Sequence, residues 1–161
     1  MSRTTRTRAA RRSIDRCRRT ACPRTLLAVL ACLVISSVGC RDPYAEVRAE
    51  LSPADRDRFD QGARVAAPCA ACHDLAFDAM KIGPHLRGID GRRVGSVAGF
   101  GYSTSLQGNE RVWNARLLEA FLAEPQRVFP GNRMMSPGVR DPSARADLVF
   151  FLIHAGGIPT R

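Results

Sequence analysis

The chain of 161 residues lacks any apolar run long enough to cross a bilayer. Leu26 to Val38 is thirteen residues without a charge, against the roughly 20 that a spanning helix needs. No cysteine follows Cys72, so a zinc site built on this part of the chain would lack its second Cys/His pair. Internal repeats and low-complexity tracts are absent, which argues against a solenoid. Period-two alternation of apolar residues is almost missing too, so strands are not expected. The basic excess of +10 is also absent from most of the chain. Residues 1–40 hold nine arginines against Asp15 alone, whereas residues 41–161 hold 16 basic and 14 acidic side chains. A nucleic-acid binder would gather its cations on a folded face; here they lie upstream of the apolar run, and no nucleic-acid partner is expected.

That arrangement of arginines, apolar run and small residues has the anatomy of a secretory signal. Residues 1–39 are read as a leader, residues 40–52 as a polar linker and residues 53–161 as the functional domain. The leader ends Ser37-Val38-Gly39-Cys40, which resembles a bacterial lipobox. It implies acylation of Cys40 and a periplasmic, membrane-tethered protein, with ordinary signal cleavage nearby or an uncleaved anchor as the alternatives. Arg11-Arg12 could suggest twin-arginine export, but Ser13-Ile14-Asp15 does not continue that pattern.

What the chain does contain is Cys69-Ala70-Ala71-Cys72-His73. C-x-x-C-H is the attachment signature of c-type haem. Two thiols add to the porphyrin vinyl groups, and the adjacent histidine can ligate the iron. The competing readings are a thioredoxin-like redox pair or half of a zinc site. With Cys17, Cys22 and Cys32 in the leader and Cys40 at its end, no pair remains for a structural disulfide. One covalent haem would then be the domain's staple.

Three helices are expected. Ser52-Pro53 forms an N-cap and first helical residue for a helix reaching about Val65. A second runs from Asn114 to Ala123, with Leu117, Leu118, Phe121 and Leu122 on one face and Pro125 ending it. The last begins at Asp141-Pro142, carries Leu148, Val149, Phe151 and Leu152, and stops at Gly156-Gly157. A helical turn could form within Tyr44 to Leu51. Between these lie glycine-rich loops, Lys81 to Ser105 and Phe129 to Arg140, which need something to organise them. His85 and His154 are read as surface or helix-end histidines, with His154 capping the last helix.

Four stretches in order resemble class I cytochrome c of the mitochondrial and small bacterial type. They are Cys69 to His73, then Gly83-Pro84-His85-Leu86-Arg87-Gly88. Gly91 to Gly95 with Gly99-Phe100-Gly101-Tyr102-Ser103 follows, and last Trp113 through Pro130-Gly131-Asn132-Arg133-Met134. The resemblance implies an all-α cytochrome c fold, three main helices with long glycine-rich loops wrapped around one haem c. It implies His73 and Met134 as axial iron ligands, Met135 being the rival. It implies Pro84 as the carbonyl that orients His73, and Arg92, Tyr102 and Trp113 as donors to the buried propionates. Cys69 and Cys72 hold the cofactor.

The chain departs from that family in four places. No aromatic stands shortly before the haem motif, so Phe151 is expected to meet only Val65 or Ala66. Phe121 replaces a tyrosine near the methionine sulfur, and Ser136 replaces a phenylalanine over the haem edge. The ring of lysines is reduced to Arg127, Arg133, Arg140 and Lys81. The function implied is that of a monomeric electron carrier and not an enzyme. It would shuttle single electrons from a quinol-oxidising complex or dehydrogenase to a terminal oxidase or reductase. The alternatives are a haem enzyme or gas sensor with a displaceable methionine, or a fixed subunit of a larger oxidoreductase.

Overall fold

Two helices from opposite ends of the chain make the frame. The structure, a computed structural model, describes residues 42–157; the expected leader and Cys40 lie outside them. Pro53–Ala66 (α2) and Pro142–Ala155 (α5) each run 14 residues. Both start as their sequences predict. Ser52 Oγ accepts the Asp55 N–H at 3.2 Å, and Asp141 Oδ1 accepts those of Ser143 and Ala144, each cap satisfying helix N–H groups that have no partner within the helix.

Phe59, Gly62 and Ala66 form the buried face of α2, and Leu148, Val149, Phe151, Leu152 and Ala155 that of α5. The two helices cross at Gly62. A Cβ there would stand 2.1 Å from the carbonyl oxygen of Asp147 and 2.6 Å from Phe151 Cβ, so only glycine permits this approach. Phe59 and Phe151 then meet with centroids 5.0 Å apart, and Arg58 reaches Asp147 at 3.2 Å beside the crossing.

Residues 42–51, expected to be linker, are folded. Ala45–Glu50 is a short helix (α1). Tyr44, Val47 and Leu51 lie at helical spacing, and all three pack on the core. Tyr44 stands edge-on to Phe59 at 5.7 Å and to Phe151 at 5.3 Å. Arg48 fastens the segment, bonding Asp60 at 2.6 Å and pairing with Asp42. The contact expected between Phe151 and Val65 or Ala66 is thus a three-ring cluster instead. Its third ring comes from upstream of the first long helix.

Ala115–Ala123 (α3) is capped by Asn114, whose side chain accepts the Leu117 N–H at 2.9 Å. The helix ends at Ala123, just ahead of Pro125 as expected, and Pro125 then opens a separate single turn, Pro125–Val128 (α4). Arg145 of α5 ties α3 through Glu119 at 2.7 Å and holds the Val139 carbonyl at 2.7 Å. Trp113, Phe121 and Phe129 form a second ring cluster, with centroids 5.2 to 5.8 Å apart. Among the described residues there are no strands, only an isolated bridge between Arg93 and Val112. Apart from a 3-10 turn at Ala67–Ala71, the rest of the described chain is loop, as the glycine content predicts.

Candidate haem site

The attachment motif sits where α2 tightens into a 3-10 turn, Ala67–Ala71. Pro68 stands near its start, and the Cys69 carbonyl accepts the N–H groups of Cys72 at 3.0 Å and His73 at 2.9 Å. This turn gathers Cys69, Cys72 and His73 within a few residues of rigid helix. Cys72 is exposed and Cys69 partly covered, and burial pushes the Cys69 thiol above its ordinary pKa.

His73 is held from the far side by the next segment. Gly83 N–H donates to the Cys72 carbonyl at 2.7 Å and Leu86 N–H to that of Asp74 at 2.8 Å. This lays Gly83-Pro84 against the imidazole, with Nδ1 2.6 Å from the Pro84 carbonyl oxygen. A carbonyl only accepts, so Nδ1 carries the hydrogen and Nε2 keeps its lone pair for a metal. Gly83 is obligatory for this fit: a Cβ there would lie 2.4 Å from His73 Cε1 and 2.7 Å from Nδ1. Sequence reasoning named Pro84 for its carbonyl but missed the packing role of Gly83, although the Gly-Pro pair marked it.

Asp74 shapes the loop that follows. Burial pulls its pKa up, but hydrogen bonds from the backbone of Phe77, Ala76 and Ala79, together with Lys81, outweigh that and leave it lowered. The loop carries three exposed apolar side chains, Phe77, Met80 and Ile82, and Lys81 Nζ donates to the Ala70 carbonyl at 2.7 Å.

Arg92 is half-buried, and its guanidinium donates to the carbonyls of His85 at 2.8 Å and Arg87 at 3.3 Å. Burial lowers its pKa. It makes no ion pair among the described residues, its Nη1 also lying 3.3 Å from His85 Nδ1, while neighbouring Asp78 pairs with Arg87. A desolvated cation bonded only to neutral groups suits an incoming anion such as a propionate. Tyr102 packs edge-on to Phe100 at 4.7 Å, and burial raises its pKa. Its hydroxyl oxygen accepts the Val97 N–H at 3.4 Å, a contact that does not use its proton. Trp113 is buried in the second ring cluster. Its backbone pairs with Arg92 and Gly91, both at 2.9 Å, which brings the two predicted propionate partners into adjacent strips of chain.

Met134 is partly buried and packs on the core, whereas Met135 is 100% exposed. Of the expected surface cations, Arg133 bonds the Gly101 carbonyl and Arg127 pairs with Glu124 at 3.0 Å. His154 stands in the last turn of α5 as expected, but its Nδ1 lies 2.8 Å from the Phe150 carbonyl one turn back, and the helix is closed by backbone at Gly156-Gly157 and not by this side chain. His85 is more enclosed than a surface histidine, its side chain only 18% exposed.

These features define an all-α c-type haem protein. The donor set fits the cofactor: two cysteines and an oriented imidazole on one turn, a buried-side methionine, and an unpaired guanidinium. No family model matches the chain. Individual relatives do. It is 39% identical to cytochrome c of Ginkgo biloba over 88 residues, 54% of this chain and 78% of that protein. It is 41% identical to cytochrome c of Cochliobolus lunatus over 85 residues, 52% of this chain and 79% of that one. Among solved structures, cytochrome cH from Methylobacterium extorquens matches at 32% identity and a TM-score of 0.55, covering 58% of this chain and 95% of that one.

The chain belongs to the cytochrome c family. It is a monohaem electron-transfer protein with one covalently attached haem c, an electron carrier rather than an enzyme, and its partners are redox proteins. No helix of the described residues is long and apolar enough to cross a membrane.

Proposed function

We propose that Cys69 and Cys72 carry the haem thioethers and that His73 and Met134 are the axial ligands of its iron. The single observation that carries this reading is the imidazole of His73, fixed between Gly83 and the Pro84 carbonyl with Nε2 left to ligate. When bound, haem supplies a one-electron iron(II)/iron(III) couple. The chain's own residues set the terms of that exchange. Pro84 holds one proton on Nδ1 and so fixes the ring's orientation and basicity. Met134 offers a soft thioether, a weak donor that favours the reduced state and raises the potential. Arg92, Tyr102 and Trp113 are assigned to the propionates, supplying the donors that an anion removed from water requires.

The donor and acceptor classes proposed are a quinol-oxidising complex or dehydrogenase and a terminal oxidase or reductase. Periplasmic location and acylation of Cys40 are supported by the leader's apolar run and Gly39-Cys40. Because Asp42 and Tyr44 already belong to the folded part of the described residues, a lipid on Cys40 would stand only two positions ahead of it in sequence. Fractionation of wild type and Cys40→Ser tests this, with haem protein in the soluble periplasm of wild type overturning it. For the ligands, Met134→Ala is expected to abolish the sulfur-to-iron(III) charge-transfer band while Met135→Ala keeps it. The reverse pattern transfers the ligand to Met135.

A further inference from the structure

We propose that Asn132 is a positioning residue for the axial methionine, its buried carboxamide locking the turn that presents Met134. The proposal rests on the assignment of Met134 as ligand. Asn132 is 5% exposed, the one buried polar residue among those described. Its two amide hydrogens donate to the carbonyls of Pro125 at 2.9 Å and Phe129 at 2.8 Å. Its Oδ1 accepts the backbone N–H of Met134 at 3.0 Å. The orientation of the amide is fixed by chemistry, since the nitrogen faces two carbonyls and the oxygen faces an N–H.

The backbone of Asn132 is fastened as well. Its N–H donates to Phe129 at 3.1 Å, and its carbonyl accepts Gln126 Nε2 at 2.9 Å. Gln126 Oε1 in turn accepts the Gly131 N–H at 3.2 Å. Every polar group of Asn132 is therefore spent within residues 125–134. Both amide hydrogens and the backbone N–H are taken up there, so Asn132 has no donor left for an anion and acts through the Met134 backbone that its Oδ1 holds.

The arrangement matters because the loop from Phe129 to Arg140 contains no helix. Its rigidity comes from hydrogen bonds such as these, and a thioether bound weakly to iron(III) holds best when its backbone is already in place. Asn132→Asp conserves volume but turns a carboxylate toward two carbonyl oxygens. Asn132→Leu conserves size and removes all three side-chain bonds. Gln126→Ala loosens the outer bracket and leaves the Asn132 carboxamide untouched.

The experiment uses the haem-loaded protein in the iron(III) state. It reads the sulfur-to-iron charge-transfer band and the rate at which imidazole displaces the sulfur, with the thermal midpoint measured alongside. Unmaking a buried hydrogen bond is expected to speed imidazole uptake about tenfold in Asn132→Asp and Asn132→Leu, and about threefold in Gln126→Ala. Uptake at the wild-type rate in these variants, even with a lowered thermal midpoint, would overturn the proposal by showing a role in general stability only. If the Asn132 variants do not fold, Gln126→Ala decides on the same readout. Met134→Ala separates the two readings. A band that survives that change removes the ligand assignment. A band lost there, with uptake indifferent to Asn132 and Gln126, removes only the positioning role.

Discussion

The two sides of this domain are held together by different physics. Where α1, α2 and α5 meet, the contacts are apolar and close: three rings, a helix crossing at Gly62, and Phe59 and Phe151 almost wholly buried. Around His73, Arg92 and Met134 the chain is loop, and its order comes from side chains and N–H groups bonded to specific carbonyls. The first region is stabilised by area removed from water. The second is stabilised by geometry that a cofactor completes. Stability and redox tuning can therefore vary separately, and substitutions should separate them.

The largest effect is expected at the crossing itself. Gly62→Leu would drive a side chain into Asp147 and Phe151, costing more than about 4 kcal/mol, and the haem protein should not accumulate on expression. Phe59→Ala leaves a large cavity in the ring cluster and is expected to cost about 4 kcal/mol in denaturant unfolding. The charge-transfer band should be unchanged there, and its loss would mean that the two regions are coupled. Gly83→Ala reverses the pattern. It costs about 2 kcal/mol, but it pushes His73 off the Pro84 carbonyl and should shift the reduction potential, read by titration. An unaltered potential would show that the ring tolerates the added carbon.

How much of this was legible beforehand differs between the two regions. Helix starts at Ser52-Pro53, Asn114 and Asp141-Pro142 could be read because a cap is a local device. The haem motif and the Pro84 carbonyl that faces His73 were equally local, while the packing of Gly83 against the ring was not read. The helical turn within residues 42–51 was legible; its packing on the core was not. Three apolar residues in a short polar stretch resemble a linker, and only the rings of Phe59 and Phe151 turn Tyr44 into core. Asn132 left no signal either, because a side chain bonded to backbone carbonyls imposes no periodicity and no partner residue type. Tyr44 shows the cost of that burial: its pKa is pushed up to about 12, by desolvation first and by Asp74 next.

The smallest predicted effect concerns pH. The pKa of Asp74 is held below its ordinary 3.8 in the fold. Its contribution is complete above that value and is lost as pH falls through the lowered one. Asp74→Asn should then cost under about 1 kcal/mol at neutral pH, the gap to wild type closing in melts performed below pH 3.8. A gap that persists in acid would place the effect in loop packing and not in charge.

The crossing at Gly62 also has a consequence in time. Arg58 and Asp147 meet across 89 positions of sequence, so the contact that closes the frame joins segments made early and late in synthesis. Loop-closure entropy must be met before that contact gives any return, and folds dominated by such distant pairings form slowly. Cys69 and Cys72 come just after α2, long before α5 exists. Until α5 arrives, the haem-attachment turn belongs to an open chain, which leaves both thiols within reach of whatever delivers the cofactor.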